Sequence, residues 1–210
     1  MHRGCFVVLE GPEGSGKSTL HRSLIERVRA AGADPVSVRE PGGTPAAEAL
    51  RTELLDTERP WTAEQELLYV TTARADTMTK IVRPALEGGR LVISDRYEMS
   101  TRAYQGAGRG VDGEFLEAVN RAATGGVVPD LTIVLDITAE AGMERLRSTG
   151  RYRNRLDLET LEFHRRVSEY YRGVNGPGIM HLDANEHPSV LLDASFRAIR
   201  ALRPDMVREL

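Results

Sequence analysis

The sequence predicts an α/β fold in which a parallel sheet of five strands carries helices on both faces. Two observations lead to it. Short apolar runs alternate with helix-length segments along the chain, the pattern of a parallel sheet buried on both sides. The residues GPEGSGKS, Gly11 to Ser18, stand between the first apolar run and the first helical pattern. They match G-x-x-x-x-G-K-[ST] in the strand-to-helix context that gives that motif its meaning.

CFVVLE, Cys5 to Glu10, reads as a buried strand, and a helix from about Lys17 to Ala31 follows the glycine-rich turn. PVSVRE supplies a second strand over Pro35 to Arg39. Helical stretches over Ala46 to Asp56 and Ala63 to Glu87 then separate it from the third strand, RLVISD, Arg90 to Asp95. So long a separation assigns those helices to a substrate-facing layer. LTIVLDI, Leu131 to Ile137, is the fourth strand, and IMHLDA, Ile179 to Ala184, a shorter fifth. GAGRG, Gly106 to Gly110, lacks GxGxxG spacing and lies outside the first strand–helix unit, so it reads as a flexible loop and no dinucleotide site. No repeat, low-complexity tract or linker interrupts the chain, and residues 1–210 read as one domain with room for a sizeable core.

Composition narrows the function classes. The formal charge is −3 with no long charged tail, which does not favour a nucleic-acid partner. Lys17 and Lys80 are the only lysines in an arginine-rich chain, so a lysine inside the glycine loop is conspicuous. Cys5 is the only cysteine and sits in an apolar run, which suits a buried, inert thiol in a reducing cytoplasm. His2 and Arg3 precede a short apolar run rather than a signal peptide, and nothing approaches the ~20 apolar residues that span a membrane.

The glycine loop explains itself as a phosphate cradle. Backbone N–H groups around Gly11, Gly14, Ser15 and Gly16 and the dipole of the following helix attract anions. Lys17 belongs against the β- and γ-phosphates of ATP or GTP, Ser18 on Mg²⁺, and Thr19 in the first helical turn beside them. Glu13 is the misfit. Aimed inward it would repel the phosphates, so it is expected to turn outward, toward a hydroxyl of a second substrate or toward solvent.

Four further groups bear on the second substrate. In REPGGT, Arg39 could bind an anionic acceptor beside the turn of Pro41, Gly42 and Gly43, or simply form a surface ion pair. In SDRY, Asp95 is placed for magnesium and Arg96 for a bidentate phosphate contact, unless the two form a structural pair. STRAYQG then brings Thr101, Tyr104 and Gln105 toward the same edge. Val70 and Arg74, four apart, share a helix face suited to a flat heterocycle and its carbonyl edge. In RLRSTGRYRNRLD, Arg147, Arg151, Arg153 and Arg155 crowd the neighbourhood of Gly150. That density reads as a lid, about 147–156, closing on polyphosphate, or as a solvated basic loop.

Together and in this order, GPEGSGKST, REPGGT, LLYVTTARAD, SDRYEMSTRAYQG, PDLTIVLD and the arginine-rich segment resemble the thymidylate kinase family, which phosphorylates dTMP with ATP. The likeness covers nearly the whole chain and is closest to bacterial members whose lid carries the catalytic arginines. It implies a P-loop nucleoside monophosphate kinase fold, MgATP as donor, a place in dTTP biosynthesis and a homodimer. It also implies that Glu13 holds the acceptor 3′-hydroxyl and that Arg39 and Arg96, beside Pro41, surround the acceptor phosphate, with Asp95 and Ser18 near the metal. Arg74 would meet the O4 edge of the base and Thr101 its N3 side, while Tyr104 packs beneath the sugar with Gln105 nearby. Arg147 would approach ATP, and Arg151, Arg153 or Arg155 the transferring phosphoryl, with Arg151 and Arg155 favoured. Two positions depart from the family pattern. Val70 stands where a stacking phenylalanine is usual, so a modified or different base is the alternative acceptor. Asn154 replaces the aspartate common before Arg155, making the lid more positive. A non-catalytic nucleotide-binding module is the remaining alternative, disfavoured by Lys17, Ser18, Asp95 and Arg96 together.

Overall fold

The apolar runs assemble into a parallel sheet with strand order β2-β3-β1-β4-β5. The strands are β1 (Cys5–Glu10), β2 (Val36–Arg39), β3 (Leu91–Asp95), β4 (Leu131–Asp136) and β5 (Ile179–Asp183). They come from a computed structural model that describes residues 4–150 and 154–208. β1 is central and buried along its length. Its alternate side chains point to opposite faces: Val7 and Leu9 meet α1 (Lys17–Ala30) and α9 (Pro188–Leu202) through Leu24, Phe196 and Ile199. Phe6 and Val8 turn to the other face and pack with Met78, Val82, Leu86 and Tyr97.

The helical layer between β2 and β3 is present but divided. α2 (Pro45–Leu54) starts at Thr44, whose hydroxyl accepts from Ala47 N, and α3 (Ala63–Thr77) starts with a capping box between Thr62 and Gln65. The single helix expected to Glu87 instead widens into a π-helical turn over Met78–Val82 before α4 (Arg83–Glu87). Pro84 lacks the N–H that would continue the α-helical ladder, and the extra residue per turn accommodates it. The turn after β2 is tied to this layer: Thr77 donates to Gly42 O at 2.6 Å, and Thr44 donates to Asp76.

The GAGRG segment also differs from expectation. After α5 (Glu98–Thr101), residues Arg102–Gly108 form a second π-helical segment, so most of that glycine run is packed structure. A Cβ on Gly108 would lie 2.5 Å from the Phe163 ring, and the glycine permits close approach of α8 (Leu161–Gly173). α6 (Gly113–Thr124) leads to β4, and α7 (Ala139–Ser148) leads into the arginine-rich segment.

Strand register assembles the site. Leu9 pairs with Asp95, and Asp95 in turn with Arg39. The carboxyl ends of β1, β3 and β2 therefore lie side by side, the edge at which open α/β sheets bind ligands. Among the described residues no helix is long and apolar enough to cross a membrane.

Candidate active site

Gly16, with φ of 90°, ends the glycine loop, and no side chain caps the first turn of α1. Thr19 N donates back to Gly16 O at 3.0 Å, and a helix start of this kind suits an anion. A Cβ on Gly14 would stand 2.1 Å from Gly142 O, so the loop rests directly on α7. Lys17 is buried and donates to Pro12 O at 2.7 Å and to Ser15 Oγ at 3.2 Å. Burial, followed by the Arg96 charge, pushes its ammonium down to about 8. Ser18 Oγ donates to Asp95 Oδ2 at 2.7 Å. Mg²⁺ takes hard oxygens, commonly one or two from protein with phosphates and water completing the shell. This hydroxyl–carboxylate pair at the mouth of the loop fits that donor set.

Glu13 is held by side chains from outside the glycine loop. Tyr104 OH lies 2.7 and 2.6 Å from its two oxygens, and Arg96 Nη2 donates to Oε1 at 3.1 Å. Burial raises the Glu13 carboxyl, but Arg96 and Lys17 outweigh it and hold the group below the usual carboxylate range. Arg96 itself has φ of 76°, the one positive value outside glycine among the described residues. Its backbone is fixed by N–H donation to Leu9 O at 2.9 Å and by Ser94 Oγ donating to its carbonyl at 2.7 Å. Strain of this kind concentrates where a side chain must be aimed. The guanidinium packs over the Tyr104 ring, 4.8 Å from its centroid, and also reaches Gly11 O and Ser100 Oγ. Glu10 supports this cluster from behind, accepting from Ser100 Oγ at 2.6 Å and Tyr171 OH at 2.9 Å, while burial raises its carboxyl.

From Glu13 a cavity of ≈ 130 Å³ extends past Val70 and Arg74. Arg74 is 1% exposed and almost fully engaged. Its Nε donates to Glu40 at 2.6 Å, Nη1 to Thr101 at 2.9 Å and Asn120 at 2.7 Å, and Nη2 to Tyr97 O at 2.9 Å. Guanidinium has five N–H groups, so one, on Nη2, is left for a ligand. Glu40 carries the opposite stress: burial raises its carboxyl and Arg74 opposes the rise. Thr101 orients Arg74, and Gln105 and Pro41 also line the cavity. Val70, Leu54, Leu55 and Leu156 give it aliphatic walls, and Tyr104 is its aromatic lining among the described residues. Tyr69 packs on Trp61, centroids 4.2 Å apart, and does not substitute for the missing phenylalanine.

A larger cavity of ≈ 820 Å³ runs over the loop from Gly14 to Thr19 toward Asn185 and His187. Glu13, Glu40, Arg51, Arg96 and Asn154 line both cavities and form the wall between them. Arg51, on α2, donates to Pro41 O at 2.9 Å. Burial, then the charges of Arg39 and Arg96, push it down to about 10, the mark of cations held near one another.

Gly11, Glu13, Gly14, Ser15, Gly16, Lys17, Ser18, Thr19, Asp95 and Arg96 thus meet at one edge, with Val70, Arg74, Thr101, Tyr104 and Gln105 adjoining. Three other arginines stand at the margin of this group or away from it. Arg39 lines the larger cavity and not the smaller one, and Glu48 holds its guanidinium with two contacts of 2.8 Å. Arg147 is exposed, whereas Arg145 lines the larger cavity and donates to Ala184 O at 2.8 Å. Two residues along a helix turn a side chain through about 200°, so only one of the pair can face the cleft. Arg155 lines neither cavity and donates to Glu66 Oε2 at 2.5 Å, because that buried carboxylate demands counter-charge. Arg151 and Arg153 lie outside the described residues. Asn154 adds no repulsion but closes a turn, its Nδ2 donating to Asp157 at 2.7 Å and its Oδ1 accepting from Leu156 N at 2.9 Å.

Sequence reading missed Glu40, Arg51, Glu66 and Arg145. The usable signals were Glu40 at the carboxyl end of a strand, and the position of Arg51 on a helix already assigned to the substrate layer.

Comparison with known proteins bears on this geometry. The family model described as Thymidylate kinase matches residues 9–193. A thymidylate kinase from Thermomicrobium roseum is 45% identical over 199 residues, covering 92% of this chain and 93% of its own. One from Desulfovibrio desulfuricans is 44% identical over 199 residues, covering 90% and 88%. Among solved structures, the thymidylate kinase of Ehrlichia chaffeensis superposes with a TM-score of 0.77 at 26% identity, covering 94% of this chain and 98% of that one.

Proposed function

The chain belongs to the thymidylate kinase family and has its P-loop nucleoside monophosphate kinase fold, and on that premise we propose that it transfers the γ-phosphoryl of ATP to dTMP. The observation that carries this reading is the wall of Glu13, Arg51 and Arg96 shared by the two cavities. A donor on the loop and an acceptor beside Arg74 would meet across it.

The chemistry needs little beyond positioning. An oxygen of the acceptor phosphate attacks the γ-phosphorus in line; the new P–O bond forms as the bond to the β-phosphate oxygen breaks, and ADP leaves. The acceptor oxygen is already anionic, so no general base is required. Loop N–H groups and Lys17 hold the donor phosphates, while Arg96 and Arg51, with Arg39 at the rim, neutralise charge near the acceptor phosphate. Ser18 and Asp95 would hold Mg²⁺, which supplies charge neutralisation on the donor phosphates. Glu13 accepts the sugar 3′-hydroxyl, Tyr104 packs beneath the sugar, and the unspent Arg74 N–H meets O4 of the base, with Thr101 and Gln105 on its N3 side. Further charge on the transferring phosphoryl is assigned to Arg151 and Arg153 of the lid.

The same reading makes residues 1–210 one kinase domain, in the cytoplasm, serving dTTP synthesis. Leu68 on α3 and Phe115 on α6 are 45% and 40% exposed on packed helices and suit a homodimer face, which light scattering would reveal as twice the 23.2 kDa chain mass. Incubation with MgATP and dTMP should give equimolar ADP and dTDP by mass spectrometry. The Lys17→Ala protein should form almost none, and wild-type ADP release without dTDP would refute the assignment.

A further inference from the structure

The proposed transfer gives Glu66 no role. Glu66, on α3, is 1% exposed, yet its carboxylate receives three side chains. Gln105 Nε2 donates to Oε1 at 2.6 Å, and Arg155 Nη2 and Arg109 Nε donate to Oε2 at 2.5 and 3.2 Å. Arg109 continues to Glu159 Oε1 at 2.6 Å and lies over the Phe163 ring, 4.7 Å from its centroid. Segment 154–159 is therefore fastened at both ends to one carboxylate, directly by Arg155 and through Arg109 by Glu159. Two acids and two arginines make up the network, so its formal charges balance.

The fastened segment is part of the acceptor-side wall. Leu156 lines the smaller cavity, Asn154 both and Asp157 the larger, and Arg155 Nε also donates to the Leu54 carbonyl at 3.2 Å, beside Leu54 and Leu55 in the smaller cavity's wall. Gln105, fixed by the other oxygen of Glu66, lines the same cavity. We propose that Glu66 is a positioning residue for phosphoryl transfer: it clamps segment 154–159 over the acceptor cavity and fixes Gln105 in its wall, so that acceptor binding depends on it far more than donor binding does.

This rests on the kinase reading, and two measurements on the full-length protein separate them. The first, amide hydrogen exchange without ligand, needs no acceptor. The amides of Leu156, Asp157, Leu158 and Glu159 are all bonded within this turn. In Glu66→Gln they should exchange at least about tenfold faster than in wild type, while β1 and β3 amides keep their protection. The second is steady-state kinetics with MgATP and dTMP. Glu66→Gln and Arg155→Gln should each raise the dTMP KM on the order of tenfold, with the ATP KM within about twofold of wild type. The double variant should be no worse than the poorer single one. Arg155 is partly exposed, so its variant retains the test should Glu66→Gln fold poorly. Unchanged exchange over 156–159, an unchanged dTMP KM, equal loss for both substrates, or additive effects would overturn the role of Glu66. Inactivity of the wild type toward dTMP would overturn the kinase reading instead.

Discussion

Tyr104 OH lies 2.7 and 2.6 Å from the two oxygens of Glu13, so the acid inside the phosphate loop is held by a phenol before any substrate arrives. Arg96 completes the arrangement at 3.1 Å. Glu13 lines both cavities, and on the proposed reading it marks the boundary between acceptor and donor.

Glu13→Gln should therefore separate the two substrates. A hydrogen bond to a charged group contributes about 1.5–3 kcal/mol, so the dTMP KM should rise by about 10- to 100-fold. The ATP KM should stay within about threefold, since the loop N–H groups and Lys17 are untouched. Initial-rate kinetics with each substrate varied in turn checks this, and equal losses for both would contradict it.

Lys17 gives a pH dependence with a definite sign. Its ammonium is pushed down to about 8 by burial and then by Arg96. Phosphate binds the charged form, so donor affinity is full below that value and declines as pH rises through it. The ATP KM should be flat from about pH 6.5 to 7.5 and increase up to about tenfold for each unit above 8. Calorimetric titration with a non-hydrolysable ATP analogue measures it without turnover.

Much of this site is legible in the sequence, for a physical reason. The phosphate loop, Asp95 and Arg96 follow the ends of apolar strands, and strand ends in a parallel sheet meet at one edge whatever the rest of the chain does. Arg51, Arg145 and Glu66 sit on helices, where usefulness depends on which way the helix turns against its neighbours, and local pattern does not contain that. Arg145 and Arg147 illustrate it: both are helical arginines before the lid, and only Arg145 lines the cleft. The family resemblance implies a phosphoryl contact for Arg155, and the structure binds it to Glu66, a buried acid of α3 distant in sequence.

Arg74 and Glu40 form a fully buried pair at 2.6 Å. Arg74→Met should cost about 3–5 kcal/mol in urea unfolding at neutral pH, because Glu40 is left without its counter-charge. The deficit has a pH sign. Burial keeps the folded Glu40 pKa above its unfolded value, so the variant is favoured below the unfolded value and loses stability as pH rises through the folded one. The gap to wild type should be smaller at about pH 4.5 than at about pH 7, and a gap that narrows with rising pH would contradict the assignment.

Val70→Phe restores the ring that the family usually places over the base. An aromatic stack adds about 0.5–1.5 kcal/mol beyond area burial, so dTMP should bind roughly 2- to 10-fold tighter by calorimetry, with ATP binding unchanged. Weaker dTMP binding would mean that the leucine walls already occupy the stacking position.

The acceptor is the central claim, and turnover across a panel with saturating MgATP tests it most directly. With dTMP, dUMP, dCMP, dGMP and a 5-hydroxymethyl pyrimidine nucleotide compared by kcat/KM, dTMP should be the best substrate. A higher kcat/KM for any other member would contradict the account and make Val70 the mark of a different base.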